Sequence, residues 1–455
     1  MRTNVVEKLT EKTHEGGKAV RINAEQALRR SVMACMLWES EFYEDGQEIG
    51  TRIAQLASAL PFEKVASITI EAREQMKLRH APLWLVVALL KAKHQGRKVG
   101  DLIARICQRA DEPAELLALY WKDQPQAPLP KQLKVGLARA LSKFDEYQFA
   151  KYNHGGAVKL RDVLFLSHAK PKDAGDSHYT KDERKHGDEY DLTPGELLYK
   201  RIAEGELQTP DTWEVGLSAG KDKKETFERL IAKGNLGGLA FLRNLRNMAE
   251  AGIPKGTVAE YAGKADLRRV LPFRFIAAAR AVPQWEDLIE PLMLKAVEGR
   301  PRLMGKTVLL VDVSGSMGSA ISGKSEMLRM DAAMGLGVLL RELCEEALIF
   351  TFSDSVVAIP PRRGFALRDA MRNSQMHGGT MLAGSLNAIH QHGVSYDRII
   401  VITDEQTADG ISPPRGKGYV LNVASNKNGV GYGQWTHIDG WSEACIDYIR
   451  SFETA

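Results

Sequence analysis

The sequence has only four cysteines in 455 residues, Cys35, Cys107, Cys344 and Cys445, far apart and with no C-x-x-C pair. That scarcity excludes a disulfide scaffold and a cysteine-ligated zinc site, and it fits a reduced, cytoplasmic compartment. Long apolar runs are lacking too. The longest, "APLWLVVALLKA" (Ala81–Ala92), is roughly half of a spanning helix, so no membrane segment is expected. The start, "MRTNVVEKLTEKTHEGG", has no apolar core of the secretory kind and is not read as a signal. Nor does one charge sign dominate: 62 Lys+Arg against 58 Asp+Glu give +4. The small excess is uneven, with 14 Lys+Arg against 16 Asp+Glu over residues 301–455 and 48 against 42 before them. A basic N-terminal part favours a polyanionic partner.

What is present is a soluble composition, 44% hydrophobic and 26% charged, on a chain too long for one ordinary core. Residues 24–300 read as helix after helix. "AEQALRRSVMACMLWES", "DLIARICQRADEPAELLALYWKD", "PKQLKVGLARALSKFDEYQFAKY" and "GNLGGLAFLRNLRNMAEAG" repeat apolar residues every three or four positions. Breaks such as "GRKVGD" and "QPQAPLP" separate them. A loosely repetitive α-solenoid follows. The segment Pro171–Asp191 carries both charge signs and almost no apolar anchor; its His178 and His186 are read as part of a solvated loop. After "GRPRLMGK" the texture changes to short apolar runs, "TVLLVDV", "ALIFTFS", "RIIVIT" and "GYVLNVA". Helical patterns alternate with them, which means an α/β domain with a mostly parallel sheet. The expected domains are therefore 1–300, α-helical, and 301–455, α/β.

"LLVDVSGSMG" (Leu309–Gly318) ends an apolar run in Asp312, Ser314 and Ser316. Two later loops add Thr380, from "HGGTML", and Asp404, from "VITDEQT". Ligands of open α/β sheets bind outside the carboxyl ends of the strands. Two carboxylates and three hydroxyls there suit a hard divalent cation that keeps some waters, so Mg²⁺ is the expected cofactor. The pattern resembles the metal-ion-dependent adhesion site of von Willebrand factor A domains. A hydrolase reading is weaker: "VDVSGSM" lacks the first glycine of a nucleophile elbow, Ser314 stands where a phosphohydrolase would want a second acid, and His377, close to Thr380 and able to serve as a base, is more commonly a surface loop histidine.

The helical part concentrates cations between Lys151 and Lys172: Lys151, His154, Lys159, Arg161, His168, Lys170 and Lys172. With Val158–Ala169 as one helix, Arg161 and His168 share a face while Val163, Leu164 and Leu166 turn inward. A second stripe, Arg243 and Arg246, lies opposite Leu239, Leu242 and Leu245. Such ridges suit phosphate contacts.

"KLRDVLFLSHAKPK", "TWEVGLSAGKDKKETFERLI", "GNLGGLAFLRNLRNM" and "VLPFRFIAA", in that order and followed by an A-type domain, resemble the TROVE domain of the Ro autoantigen family in a bacterial or phage form. The resemblance implies a monomeric ring of HEAT-like helical repeats closed by a Rossmann-like A domain. It also implies a non-catalytic RNA-binding protein of RNA quality control. Misfolded RNAs would pass single-stranded 3′ ends through the hole, and Y RNA-like molecules would bind outside. The family's Lys of the Lys-Tyr step and His of Leu-Ser-His correspond to Lys151 and His168; where the family has a nearby arginine this chain has Gly155. An exoribonuclease such as polynucleotide phosphorylase is the implied protein partner. The alternative is an assembly module that docks an acidic partner on the A-domain metal.

Overall fold

Strands form where apolar runs can be buried on both faces. In the computed structural model β1 is Leu303–Asp312, β2 Cys344–Phe352, β3 Val356–Ala358, β4 Arg398–Thr403, β5 Lys417–Asn422 and β6 Thr436–Asp439. The structure describes residues 23–33, 46–76, 78–92, 98–153, 156–174, 192–267, 270, 273–321, 326–424, 434–440, 445–446, 449–450 and 453. The strands order as β3-β2-β1-β4-β5-β6, parallel throughout except for the β2–β3 pair. Val308, Leu309, Leu310 and Val311 are all buried, because helices cover both faces of such a sheet. From β1 the chain moves outward to β2 and β3, then returns to β4 on the other side of β1. That reversal opens a crevice between the carboxyl ends of β1 and β4, where open α/β sheets hold ligands.

The chain packs as two units, residues 1–50 with 222–455, and residues 51–221. In the first, helix Phe273–Ala281 lies so close to helix Arg329–Leu343 that a Cβ on Gly335 would meet Ile276 Cδ1 at 2.6 Å. The Phe365 N–H donates to Glu290 Oε1 at 2.8 Å, and Arg368 pairs with Glu286 at 2.6 Å. The change of texture near residue 300 marks the start of β1, while the helices from Asp222 onward belong to the same unit as the sheet.

At the start of β4 and β5, Glu453 meets Arg398 at 2.7 Å and accepts from the Tyr419 hydroxyl at 3.0 Å. Burial pushes its carboxyl up, but the hydrogen bonds of Arg398 and Tyr419 and the Arg398 charge outweigh that and hold it at about 2. A carboxyl depressed by folding stabilises above its unfolded value and loses that contribution as pH falls through the folded one. Between about pH 4.5 and 2 the protein is therefore expected to lose stability through this group. Glu453→Gln should lower stability at pH 7 and flatten that part of an acid-denaturation profile followed by circular dichroism.

The named elements among the described residues of the second unit are helices. Lys98–Ile106 packs on Lys131–Leu141, which packs on Leu160–Ser167; His80–Lys91 packs on Glu112–Trp121. Contact between next-but-one helices is the two-layer stacking of a solenoid. Close approach is allowed by Gly136, where a Cβ would meet the Ile103 side chain at 2.6 Å. A buried Arg73–Glu112 pair at 2.7 Å ties the layers, and Glu112 also accepts from the Gln108 N–H at 2.6 Å. Cys107 and Cys344 are buried thiols. Among the described residues no helix is long and apolar enough to cross a membrane.

Candidate cation site and cationic surface

The loop after β1 turns back on itself: the Ser314 N–H donates to Asp312 Oδ1 at 2.9 Å, and the Ser314 and Ser316 hydroxyl oxygens lie 3.3 Å apart. The end of β4 reaches the same carboxylate, since the Thr403 hydroxyl donates to Asp312 Oδ2 at 2.6 Å. The Gly378–Thr380 loop joins from a third side. The Gly315 N–H donates to Gly378 O at 2.9 Å and the Ala408 N–H to Thr380 O at 3.0 Å. Hydrogen bonds thus stitch together the three loops that carry Asp312, Ser314, Ser316, Thr380 and Asp404. Asp312, Ser314, Thr380 and Asp404 are buried. Burial, and then the charge of Asp404, push the Asp312 carboxyl up to about 7. Arg329 supplies a counter-charge, with Nη1 3.6 Å from Asp404 Oδ2. Among the described residues no three His, Cys, Asp or Glu side chains gather as a metal cluster, so a cation here would rest on two carboxylates and hydroxyls. The donor set fits a hard divalent ion: all-oxygen, partly charged, and short of positive charge without one.

Two supports of this rim escape the sequence pattern. Ser353 and Asp354 follow β2. The Gly378 N–H donates to Ser353 Oγ at 2.8 Å and the Gly379 N–H to Asp354 Oδ1 at 2.8 Å. A Cβ on Gly378 would fall 1.8 Å from Asp354 Oδ2, so glycine is what lets the two loops close. His377 is a strut, its Nδ1–H donating to Val313 O at 2.7 Å.

A third support comes from far along the chain. Glu405, next to Asp404, is fully buried at a left-handed φ of 60°, a conformation that costs a non-glycine residue free energy unless its surroundings hold it. Its carboxylate pairs with Arg30, from helix Ala24–Met33, and with His437 Nε2 of β6 at 3.0 Å. Arg30 Nη1 lies 3.2 Å from the same His437 nitrogen; a proton on Nε2 serves the carboxylate, so the guanidinium is its neighbour and not its donor. Burial pushes the Glu405 carboxyl up, but the charges of Arg30 and then His437 overcome this and hold it at about 2.

The cationic residues fall in two places. In the second unit, helix Leu160–Ser167 buries Leu160, Val163, Leu164 and Ser167 and exposes Arg161. It is shorter than Val158–Ala169 because Lys159 is its N-cap and His168, at φ 54°, closes it. Leu166 does not turn inward; it is 36% exposed, since it lies off the stripe set by positions 160, 163, 164 and 167. Lys159, Arg161, His168, Lys170 and Lys172 are exposed, and none forms an ion pair with another described residue. Lys151 is half-buried, its Nζ 5.7 Å from the Tyr152 ring. His154 and Gly155, like His178 and His186, lie outside the described residues. In the first unit, Arg243 and Arg246 are exposed on the short helices Gly238–Arg243 and Leu245–Glu250, which break at buried Asn244. Leu242 and Leu245 are buried, but Leu239 is 44% exposed and does not join them. Arg246 is engaged with Glu326 at 3.2 Å.

A six-stranded, mostly parallel sheet with an oxygen-lined rim at its β1–β4 crevice defines an A-type α/β domain, here preceded by helices. Residues 306–416 match the family model described as the Ro60 vWA domain, and residues 200–298 match the one described as the TROVE domain. The two matches follow one another in the order that the motifs suggested. The crystal structure of a Deinococcus radiodurans Ro (RSR) protein is similar over 94% of this chain and 99% of that one, with a TM-score of 0.61 and 17% identity, a likeness of fold. No curated protein matches at the level of sequence.

Proposed function

We propose that this chain binds RNA without cutting it: structured small RNAs of the Y RNA kind on its basic helical surface, and single-stranded 3′ ends of misfolded RNAs. It would act in RNA quality control, in the cytoplasm, as an adaptor for an exoribonuclease such as polynucleotide phosphorylase. One observation carries the reading. The segment from Lys159 to Lys172 buries its apolar stripe and leaves five cationic or titratable side chains exposed, without carboxylate partners among the described residues. Cations left unpaired on one face are the footprint of phosphate contacts. The Ro-type pairing of domains supports the same reading, as does the folded likeness to a Ro protein. The test is a purified chain mixed with an end-labelled RNA bearing a single-stranded 3′ tail. The expected result is a shifted band with the RNA at full length; shortening of the RNA, or no shift at low salt, contradicts the proposal.

Asp312, Ser314, Ser316, Thr380 and Asp404 would hold Mg²⁺. The ion would neutralise the two facing carboxylates and present an open position to an acidic group, which favours the second reading of this domain, a docking site for an acidic partner. Mg²⁺ at about 100 times its dissociation constant is expected to stabilise the protein by about 2.7 kcal/mol, read as a rise in melting temperature. Asp312→Ala should abolish that rise. An equal rise in the variant would place the ion elsewhere.

A further inference from the structure

Arg329 stands where three physical effects disfavour a cation. It is 2% exposed, so its guanidinium has given up most of its water. It opens helix Arg329–Leu343, and the first turn of a helix carries the positive end of the backbone dipole. Its Nη1 lies 3.6 Å from Asp404 Oδ2, so an ion held by that carboxylate would face a second positive charge. The placement is nevertheless built in. The Arg329 N–H donates to Ser319 O and the Ile321 N–H to Met327 O, both at 2.9 Å, and Ala320 bridges Leu328 in antiparallel fashion. These bonds fasten the start of the helix to the loop that carries Ser314 and Ser316. The carboxylate of Asp331, two residues on, is engaged by the Leu328 N–H at 2.8 Å and by Arg280 and Arg372.

We infer that Arg329 couples the two ligands of the rim: it keeps the affinity for the divalent ion low until an outside carboxylate joins the ion. The inference rests on the reading of this rim as a Mg²⁺ site that docks an acidic partner, and it adds the regulation of that site. The ground is electrostatic. Guanidinium and ion share the Asp404 carboxylate, and like charges so close inside a buried site repel far more than they do in water. A partner's carboxylate on the open position of the ion offsets that repulsion. Each ligand then strengthens the other by the same factor, as linkage requires. A guanidinium suits the task because it stays charged at every pH the protein withstands, which leaves the anionic partner as the variable.

The experiment uses Mn²⁺ as a paramagnetic stand-in for Mg²⁺ and reads the resonance signal of the unbound ion, in the full-length protein alone and with saturating acetate as the carboxylate probe. In wild type, acetate is expected to tighten Mn²⁺ binding about tenfold. Arg329→Met should bind Mn²⁺ alone about tenfold more tightly than wild type and gain little from acetate. Arg329→Lys keeps the charge and should keep the wild-type pattern. Removing a buried counter-charge should also make Arg329→Met melt lower than wild type when no ion is added. Saturating Mn²⁺ should erase that difference, because the ion answers the same carboxylate. Equal Mn²⁺ affinity in Arg329→Met and wild type, or an equal gain from acetate in both, overturns the coupling. So does a loss of melting temperature that Mn²⁺ does not restore, or tight binding by Arg329→Met that survives the further change Asp312→Ala. If wild type takes up no Mn²⁺ with or without acetate, the cation reading itself fails and the role of Arg329 fails with it.

Discussion

Replacing Arg30 by methionine should destabilise the protein by about 3–5 kcal/mol, the usual consequence of removing one partner of a buried ion pair. Arg30 is 1% exposed and Glu405 not at all, so the variant strands a carboxylate where water cannot reach it. His437 remains at 3.0 Å, but one imidazole in place of a guanidinium leaves part of the charge unanswered. Glu405 also holds a left-handed backbone directly beside Asp404, so relaxation of that residue should spread to the candidate cation rim. Two results are expected together: a lower denaturation midpoint, and a smaller Mg²⁺-dependent rise in melting temperature. Arg30→Met with Glu405→Gln removes the stranded charge and should recover most of the stability. If the double variant were as unstable as the single one, packing of helix Ala24–Met33 would be the cause and not the ion pair.

RNA affinity should fall steeply with salt. Lys151, Lys159, Arg161, Lys170 and Lys172 offer on the order of five phosphate contacts. Counterion release then predicts a loss of about 10²–10³-fold between about 50 and 200 mM salt. Lys151→Ala with His168→Ser should weaken binding about tenfold and reduce the salt slope by about one, the share of one phosphate contact. His168 sits at the end of its helix, exposed and in a left-handed turn, and replacing it uncovers no core. Fluorescence anisotropy across a salt series reads both quantities. Equal affinity and equal slope in variant and wild type would remove this segment from the RNA footprint.

The strands that sequence reasoning finds, β1, β2, β4 and β5, carry continuous apolar runs, which burial on both faces forces in β4 and in most of β1 and β5. β3 has three residues and pairs antiparallel at the sheet edge, and β6 reads "THID"; neither is long or apolar enough to show. Helix Gly364–Arg372 was equally silent. Leu166 and Leu239 look inward by spacing alone, but a short helix buries one narrow stripe, and both fall beside it. The oxygen cluster is legible because two loops that end apolar strands carry Asp312, Ser314, Ser316 and Asp404, and a glycine-rich loop before a helix carries Thr380. Its supports are not. Ser353 and Asp354 look like an ordinary turn, although a hydroxyl and a carboxylate directly after an apolar strand were a readable signal. Arg30 and His437 are 407 positions apart, and nothing local to either predicts that Glu405 brings them together.

On the proposed reading RNA lies on cationic helices and a cation at the rim of the sheet. The most direct test is photocrosslinking of a 4-thiouridine-labelled RNA to the full-length protein, with the attached peptides identified by mass spectrometry. Attachment within residues 118–172 is the predicted result. Crosslinks confined to residues 306–416 would contradict it.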